Sequence, residues 1–453
     1  MRRLIVIALA FAMAFTSVVP AMSQAKRSAP RLIRDAEIEG LMRLYTRPIF
    51  KAAGINPKSV RVYLINDSRI NAFVSGGQRI FIHTGLLTQA KTPNEVIGVL
   101  AHETGHIAGG HLARMGIEIE RASVTSIIGM LVGIAAAAGG AIAGNSDAAK
   151  AGGGLMAGSQ GLAQRNFFAY QRSMEASADQ AALKYLSASG QSARGMITLF
   201  DKLANESIAS LRNVDPYAMS HPMPFERIRN LENTARKSPY FDREDPPELM
   251  LRHQLMQAKL LGFLGNAQSV MQRYPSSDAS LPARYARAIA LFRRGDIANA
   301  LPVINGLVKD LPQNPYFWEL KGQALIENGR AAEAVAPLQE ALRLLPNNGL
   351  IQQMTAQALI DTGGKANAQK ALKLLRQAQK SEASDPSLYR SMARAYGQTG
   401  DVARAELSTA EAALLIGDKK LAIDKAKSAQ ARFKTGTPEW TRANDILTFA
   451  TRD

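Results

Sequence analysis

The chain has no cysteine among its 453 residues, which excludes disulfides, thiolate metal ligands and a lipid-modified cysteine. Any metal it holds is therefore bound through nitrogen and oxygen. The absence is compatible with an oxidising compartment and does not establish one. Histidine is scarce as well, at 6 residues, so two histidines four positions apart carry information. Aromatic residues make up 6%, and the formal charge of +17 is not concentrated: residues 246–453 hold 27 Lys and Arg against 19 Asp and Glu, about half of the excess. A nucleic-acid surface gathers cations and aromatics on one face. The diffuse charge argues against a nucleic-acid partner and fits anionic lipid headgroups or acidic protein surfaces, with solubility alone as the other reading.

Two stretches lack charge. Leu4 to Phe15 is an apolar run of twelve residues behind Arg2-Arg3, followed by small-x-small sites at Ala21-Met22-Ser23 and Ser23-Gln24-Ala25. That pattern predicts a cleaved signal peptide over 1–25, because the run is short for a hydrocarbon core of about 30 Å. From Ala122 to Ser146 there is again no charge, and Ile127–Ile134 followed by Ala135–Ala138 is long enough to be a spanning-helix candidate. Gly139-Gly140, Gly144 and Gly152-Gly153-Gly154 interrupt it. Residues 122–164 are accordingly expected to form a Gly/Ala-rich lid or a membrane-touching loop.

Between these regions stands His102-Glu103-Thr104-Gly105-His106, an H-E-x-x-H run. Val96, Ile97, Val99, Leu100 and Ile107 repeat at helical spacing around it, Gly109-Gly110 ends it, and Asn94 and Thr92 are equal N-cap candidates. On a helix, His102 and His106 share a face and offer two imidazoles to one zinc ion, with Glu103 beside them as general base. A catalytic zinc takes three protein ligands and keeps one open position. Met174-Glu175-Ala176-Ser177-Ala178-Asp179 supplies the third: Glu175 as ligand, and Asp179 one turn on, placed to hold a ligand histidine by its second ring nitrogen. Ala176, Ser177 and Ala178 are small enough to let two helices approach.

Ala36–Ala53 reads as an amphipathic helix, and Val60–Ile65, Asn71–Val74 and Arg79–His83 as short strands, one of which should be an edge to which a peptide adds. Asn71 and His83 are read as structural, His111 as a surface residue beyond the glycine pair, and His253 as part of the following region. Pro246-Pro247 reads as a linker. Beyond it, Ala288, Leu291, Gly295, Ala300 and Pro312 recur 34 residues later as Gly322, Leu325, Gly329, Ala334 and Pro346 in a tetratricopeptide pattern that includes Trp318, Leu338 and Ala341. A shift of three aligns Tyr389, Ala393, Tyr396, Gly400, Ala405 and Ala412. Small residues let paired helices pack closely, and about four stacked repeats make a concave docking surface.

H-E-x-x-H followed by a helix bearing E-x-x-x-D resembles the gluzincin peptidases related to the HtpX and CAAX prenyl proteases. Asn71-Ala72-Phe73, Gly76-Gly77, Arg79–Ile82, Thr84–Leu87, Ser220-His221-Pro222 and Arg227-Ile228 also follow that pattern, over roughly residues 40–235. With the signal peptide and repeats, the chain is most similar to the BepA-like periplasmic branch, and it departs from the integral-membrane branches in lacking several clear spanning helices. The expected architecture is mainly α: an α+β gluzincin-type domain with a small sheet over 26–245, then an α-solenoid over 246–453. The resemblance implies a periplasmic zinc endopeptidase with one Zn2+ per chain, acting on misfolded or stalled outer-membrane β-barrel proteins near their assembly machinery, with peripheral membrane contact. It also places His221 near the active site, as oxyanion donor or as occupant of the fourth metal position. Pro222 and Pro224 would hold its loop extended. The competing reading is a chaperone or assembly factor whose repeats do the work and whose metal site is latent or structural.

Overall fold

The computed structural model describes residues 31–117, 146–209, 217, 220–222 and 224–451, with only the backbone described for most of 146–167 and for 207–209. The signal-peptide assignment and nearly all of the uncharged 122–146 stretch lie outside these residues. Along the first half run β1 (Leu32–Ile33), α1 (Ala36–Ala52), β2 (Arg61–Ile65), β3 (Ala72–Ser75), β4 (Arg79–His83), α2 (Thr84–Gln89), α3 (Pro93–Ala108), α4 (Ser146–Ala188), α5 (Arg194–Ala209) and α6 (Phe225–Ala235). The strands form a four-stranded mixed sheet in the order β1-β2-β4-β3. β2 and β4 are parallel, and β3 pairs antiparallel with β4, which leaves β3 as an edge. Gly76 and Gly77, both at positive φ (58° and 93°), close the β3–β4 hairpin in the backbone region that tight hairpin turns require.

Helix α3 runs through the middle of this half, and every residue from Pro93 to Gly105 is buried. Its apolar side chains Val96, Val99 and Leu100 join one core with Ile38, Met42 and Tyr45 of α1, Ile80 and Ile82 of the sheet, and Met196, Phe200 and Leu203 of α5. Thr92 is the N-cap, accepting from the Glu95 amide at 3.3 Å. Asn94 has a different task. Its side chain donates to the Ser192 carbonyl and accepts from the Gly195 amide, each at 2.7 Å, which anchors the start of α5.

Two expectations change here. Gly152–Gly154 do not break the chain, since α4 is continuous from Ser146 to Ala188. Glycine lowers helix stability by about 1 kcal/mol per residue and does not forbid a helix, and here alanines, leucine and methionine flank the triplet. Nor is Pro246-Pro247 a linker: Pro246 is the N-cap and Pro247 the first residue of α7 (Pro247–Leu264), where a missing amide hydrogen loses no helical bond.

The second half continues with α8 (Ala267–Arg273), α9 (Leu281–Arg293), α10 (Ile297–Asp310), α11 (Pro315–Glu327), α12 (Ala331–Leu344), α13 (Gly349–Thr362), α14 (Lys365–Glu382), α15 (Pro386–Thr399), α16 (Val402–Leu415), α17 (Lys419–Gln430) and α18 (Pro438–Thr451). Gly295, Gly329, Gly363 and Gly400 all have positive φ at turns between these helices, so the 34-residue spacing and the later shift of three are both visible in the backbone. At Gly322 the packing argument is direct, because a Cβ there would lie 2.3 Å from Leu338 of the neighbouring helix.

Helix α7 belongs to both halves. Met256 and Leu260 lie in the first core, Leu255 and Ala258 in the core of the early repeats. His253, fully buried, donates from Nε2 to the Ala90 carbonyl at 3.0 Å and faces the Tyr45 hydroxyl with Nδ1 at 3.1 Å. The Lys259 ammonium sits 2.8 Å from Asp35 and 3.3 Å from Glu37, which also accepts from the Tyr285 hydroxyl at 2.8 Å. Burying Met256 and Leu260 stabilises by about 1.5–3 kcal/mol each, a large share of the roughly 5–15 kcal/mol of a whole domain. A chain ending at 264 is therefore expected to unfold at clearly higher temperature and denaturant concentration than one ending at 245. Equal melting of the two would mean that α7 adds nothing to the first core.

Candidate metal centre

Helix α3 presents His102, Glu103 and His106, and α4 crosses it closely enough to bring Glu175 and Asp179 alongside. The crossing depends on small residues: a Cβ on Gly105 would lie 2.7 Å from the Ala178 carbonyl oxygen and 2.9 Å from its Cα. The segment before α6 contributes Tyr217 and His221, and α6 contributes Arg227.

One donor atom from each of His102, His106, Glu175 and His221 lies within 4.8 Å of the other three. His102 Nε2 is 3.0 Å from His106 Nε2, 3.3 Å from His221 Nδ1 and 3.3 Å from Glu175 Oε2. His221 Nδ1 lies 3.0 Å from Glu175 Oε2, and His106 Nε2 lies 3.4 Å from Glu175 Oε1. Three imidazoles and a carboxylate converge on one small volume. On its far side, His102 Nδ1 stands 2.9 Å from Asp179 Oδ1.

Electrostatics fit a cation at this point. Burial alone would lower the His102 pKa, but Asp179 and Glu175 outweigh it and push it up to about 9, so the carboxylates draw positive charge to the ring. Burial and the neighbouring His102 push His106 down to about 2, which leaves a free lone pair on its imidazole. Glu175 and Asp179 would be raised by burial; His102 with His221 holds the first below the usual carboxylate range, and Arg227 with His102 holds the second there. These four donors, nitrogen and oxygen in a chain without cysteine, suit zinc.

Glu103 differs from the other acids. Burial raises its pKa against the opposing pull of the Val74 backbone N–H, and its two buried carboxylate oxygens, like the Tyr217 hydroxyl, make no close hydrogen bond among the described residues. His221 Nε2 lies 3.5 Å from Glu103 Oε1. Buried polar atoms are almost always paired, so these orphans mark a place built around a polar guest. Edge strand β3 packs against α3 beside them.

All six residues named from the sequence, His102, Glu103, His106, Glu175, Asp179 and His221, come together here. Sequence reasoning gave no role to Arg227. Its Nε and Nη2 donate to the two oxygens of Asp179 at 2.6 and 2.8 Å, Nη2 also lies 3.1 Å from Glu175, and Nη1 donates to the Pro222 carbonyl at 2.7 Å. One guanidinium thus ties both α4 carboxylates to the His221 loop. His111 is not a surface residue: it is 4% exposed, with Nδ1 3.0 Å from His106 Nδ1. Asn71 and His83 stay outside the donor cluster. His83 lies 3.6 Å from Asp67 and edge-on to Phe73.

Residues 36–235 match peptidase family M48, and residues 285–349 match the tetratricopeptide repeat. Over residues 36–235 the chain thus resembles an M48 peptidase domain. Family M48 consists of metallopeptidases, which implies a divalent metal, and the M48 segment here contains the whole donor cluster. The chain is 26% identical to the beta-barrel assembly-enhancing protease of Yersinia pestis over 66% of its own length and 60% of the relative's. The protein of the same name from Escherichia coli strain K12 is 24% identical over 57% of this chain and 52% of its own. Metalloprotease LoiP of that strain is 32% identical over 38% of this chain and 62% of its own. The chain thus spans between half and three fifths of the length of the assembly-enhancing proteases it matches. No helix among the described residues is long and apolar enough to cross a membrane.

Proposed function

We propose that the chain is a zinc-dependent endopeptidase with one Zn2+ held by His102, His106 and Glu175. The carrying observation is the donor cluster next to the buried Glu103 carboxylate, whose oxygens make no close hydrogen bond among the described residues. When bound, zinc supplies Lewis-acid polarisation of the scissile carbonyl and makes its water more acidic. Glu103 takes a proton from the attacking water as the new C–O bond forms. It returns that proton to the nitrogen as the C–N bond breaks. Asp179, itself gripped by Arg227, fixes the His102 ring, and β3 offers its free edge to an extended peptide.

The names of the relatives support a setting in β-barrel assembly. The proposed substrates are misfolded or stalled outer-membrane proteins in the periplasm, docked with their assembly machinery by the repeats. The proposed boundaries are a peptidase domain over 26–245 and repeats over 246–453, with side chains of α7 entering the cores of both.

His221 supports a resting state in which hydrolysis is suppressed. Its Nδ1 lies among the donors, 3.3 Å from His102 Nε2 and 3.0 Å from Glu175, where it would serve as a fourth protein ligand in place of the water that a catalytic zinc keeps. In this state the chain acts through its repeats, as a chaperone or assembly factor would. Replacing His221 by alanine is expected to leave zinc content unchanged and to raise hydrolysis of casein or of an unfolded β-barrel protein. A zinc-replete variant slowed by about 10²–10³ would instead make His221 an oxyanion donor. No hydrolysis by either protein with zinc bound would reject the endopeptidase reading.

A further inference from the structure

We propose that His111 is the positioning residue of His106, the counterpart of Asp179 on His102, and that it sets the metal affinity of the site. This rests on the metal-centre reading above. The chain turns back at Gly110, whose φ is +61°, and brings His111 beneath the end of α3. Gly109 makes room, since a Cβ there would lie 2.2 Å from His111 Nε2. The two rings meet edge-on, with centroids 4.9 Å apart and planes at 85°.

The proton assignment follows from the geometry. His106 Nε2 faces the other donors, 3.0 Å from His102 Nε2 and 3.4 Å from Glu175. As a metal ligand through Nε2, His106 carries its proton on Nδ1. The Nδ1–Nδ1 separation of 3.0 Å then has one sense: His106 Nδ1–H donates, and His111 Nδ1 accepts with its own proton on Nε2. Each ligand imidazole is thereby oriented from behind, His102 by a carboxylate and His106 by a neutral imidazole. The His106 side chain is also the more exposed, at 13% against 0% for His102, so packing restrains its ring less and the bond from His111 matters more.

The test uses the full chain stripped of metal, with zinc titrated in competition with a chromophoric chelator, a readout independent of proteolysis. His111→Leu is expected to bind zinc about 10–100-fold more weakly. His111→Asn, whose Oδ1 sits where the imidazole Nδ1 was, is expected to recover to within about threefold, and His111→Asp to match or exceed the unaltered chain, as an anionic acceptor makes the stronger bond. Wild-type affinity in His111→Leu overturns the proposal. So does an equal loss in the leucine and asparagine variants when both metal-free proteins melt like the parent. If the leucine variant does not fold, the asparagine and aspartate variants decide: recovery in both supports the proposal, and a tenfold loss in both overturns it. Failure of the unaltered chain to bind zinc would strike the metal-centre reading itself.

Discussion

Glu103→Gln, made in the His221→Ala background, is expected to keep one zinc per chain and to hydrolyse unfolded protein about 10²–10⁴ times more slowly, the range lost when a general acid–base group is removed. Glutamine preserves the shape of the side chain and cannot accept or carry the proton. The loss should fall on turnover and leave substrate affinity unchanged, because in the proposed mechanism Glu103 acts on the water and the leaving amine while β3 and the repeats hold the chain. Metal analysis beside a steady-state assay checks it. Undiminished turnover in a zinc-replete Glu103→Gln protein would remove Glu103 from the mechanism.

Removing a metal ligand has a different signature. His102→Ala, His106→Ala and Glu175→Ala should each lose bound zinc, since a three-ligand site missing one ligand is greatly weakened. Asp179→Ala should be milder, about 10–100-fold in affinity, because it leaves every donor in place and frees the His102 ring to turn. Arg227, which grips Asp179 through two hydrogen bonds, would lose its main partner in that variant. The same chelator competition ranks all four. Full zinc occupancy in Glu175→Ala would show that another residue is the third ligand.

What the sequence made legible follows from how local each signal is. His102 and His106 are one helical turn apart, so helix geometry alone places their rings together. Glu175 and Asp179 share that spacing with small residues between them, which reveals a close helix crossing before its partner is known. His111 misled because a Gly-Gly pair reads as the end of a helix, and only the direction of the reversal shows that the next residue folds back under His106. Arg227 has no role legible in the sequence because its acidic partners lie 48 and 52 positions away, and no periodicity links a lone cation to two buried acids across such a distance.

The larger architecture divides in the same way. Turn glycines made the repeats readable, with Gly295, Gly329 and Gly363 in register and Gly400 carrying the shift. The junction was not readable, because a proline pair marks a linker and a helix start equally well. Which cores the two sides of α7 enter is decided by α1 and α2, both distant in sequence, on one side and by α9 on the other.

The most direct measurement of the central claim is zinc stoichiometry together with zinc-edge X-ray absorption on the full chain. About one zinc per chain is expected, with only nitrogen and oxygen neighbours at about 2.0–2.2 Å and a strong multiple-scattering signal from three imidazoles that drops to two in His221→Ala. A chain without zinc, or a first shell unchanged by loss of His102, would contradict it.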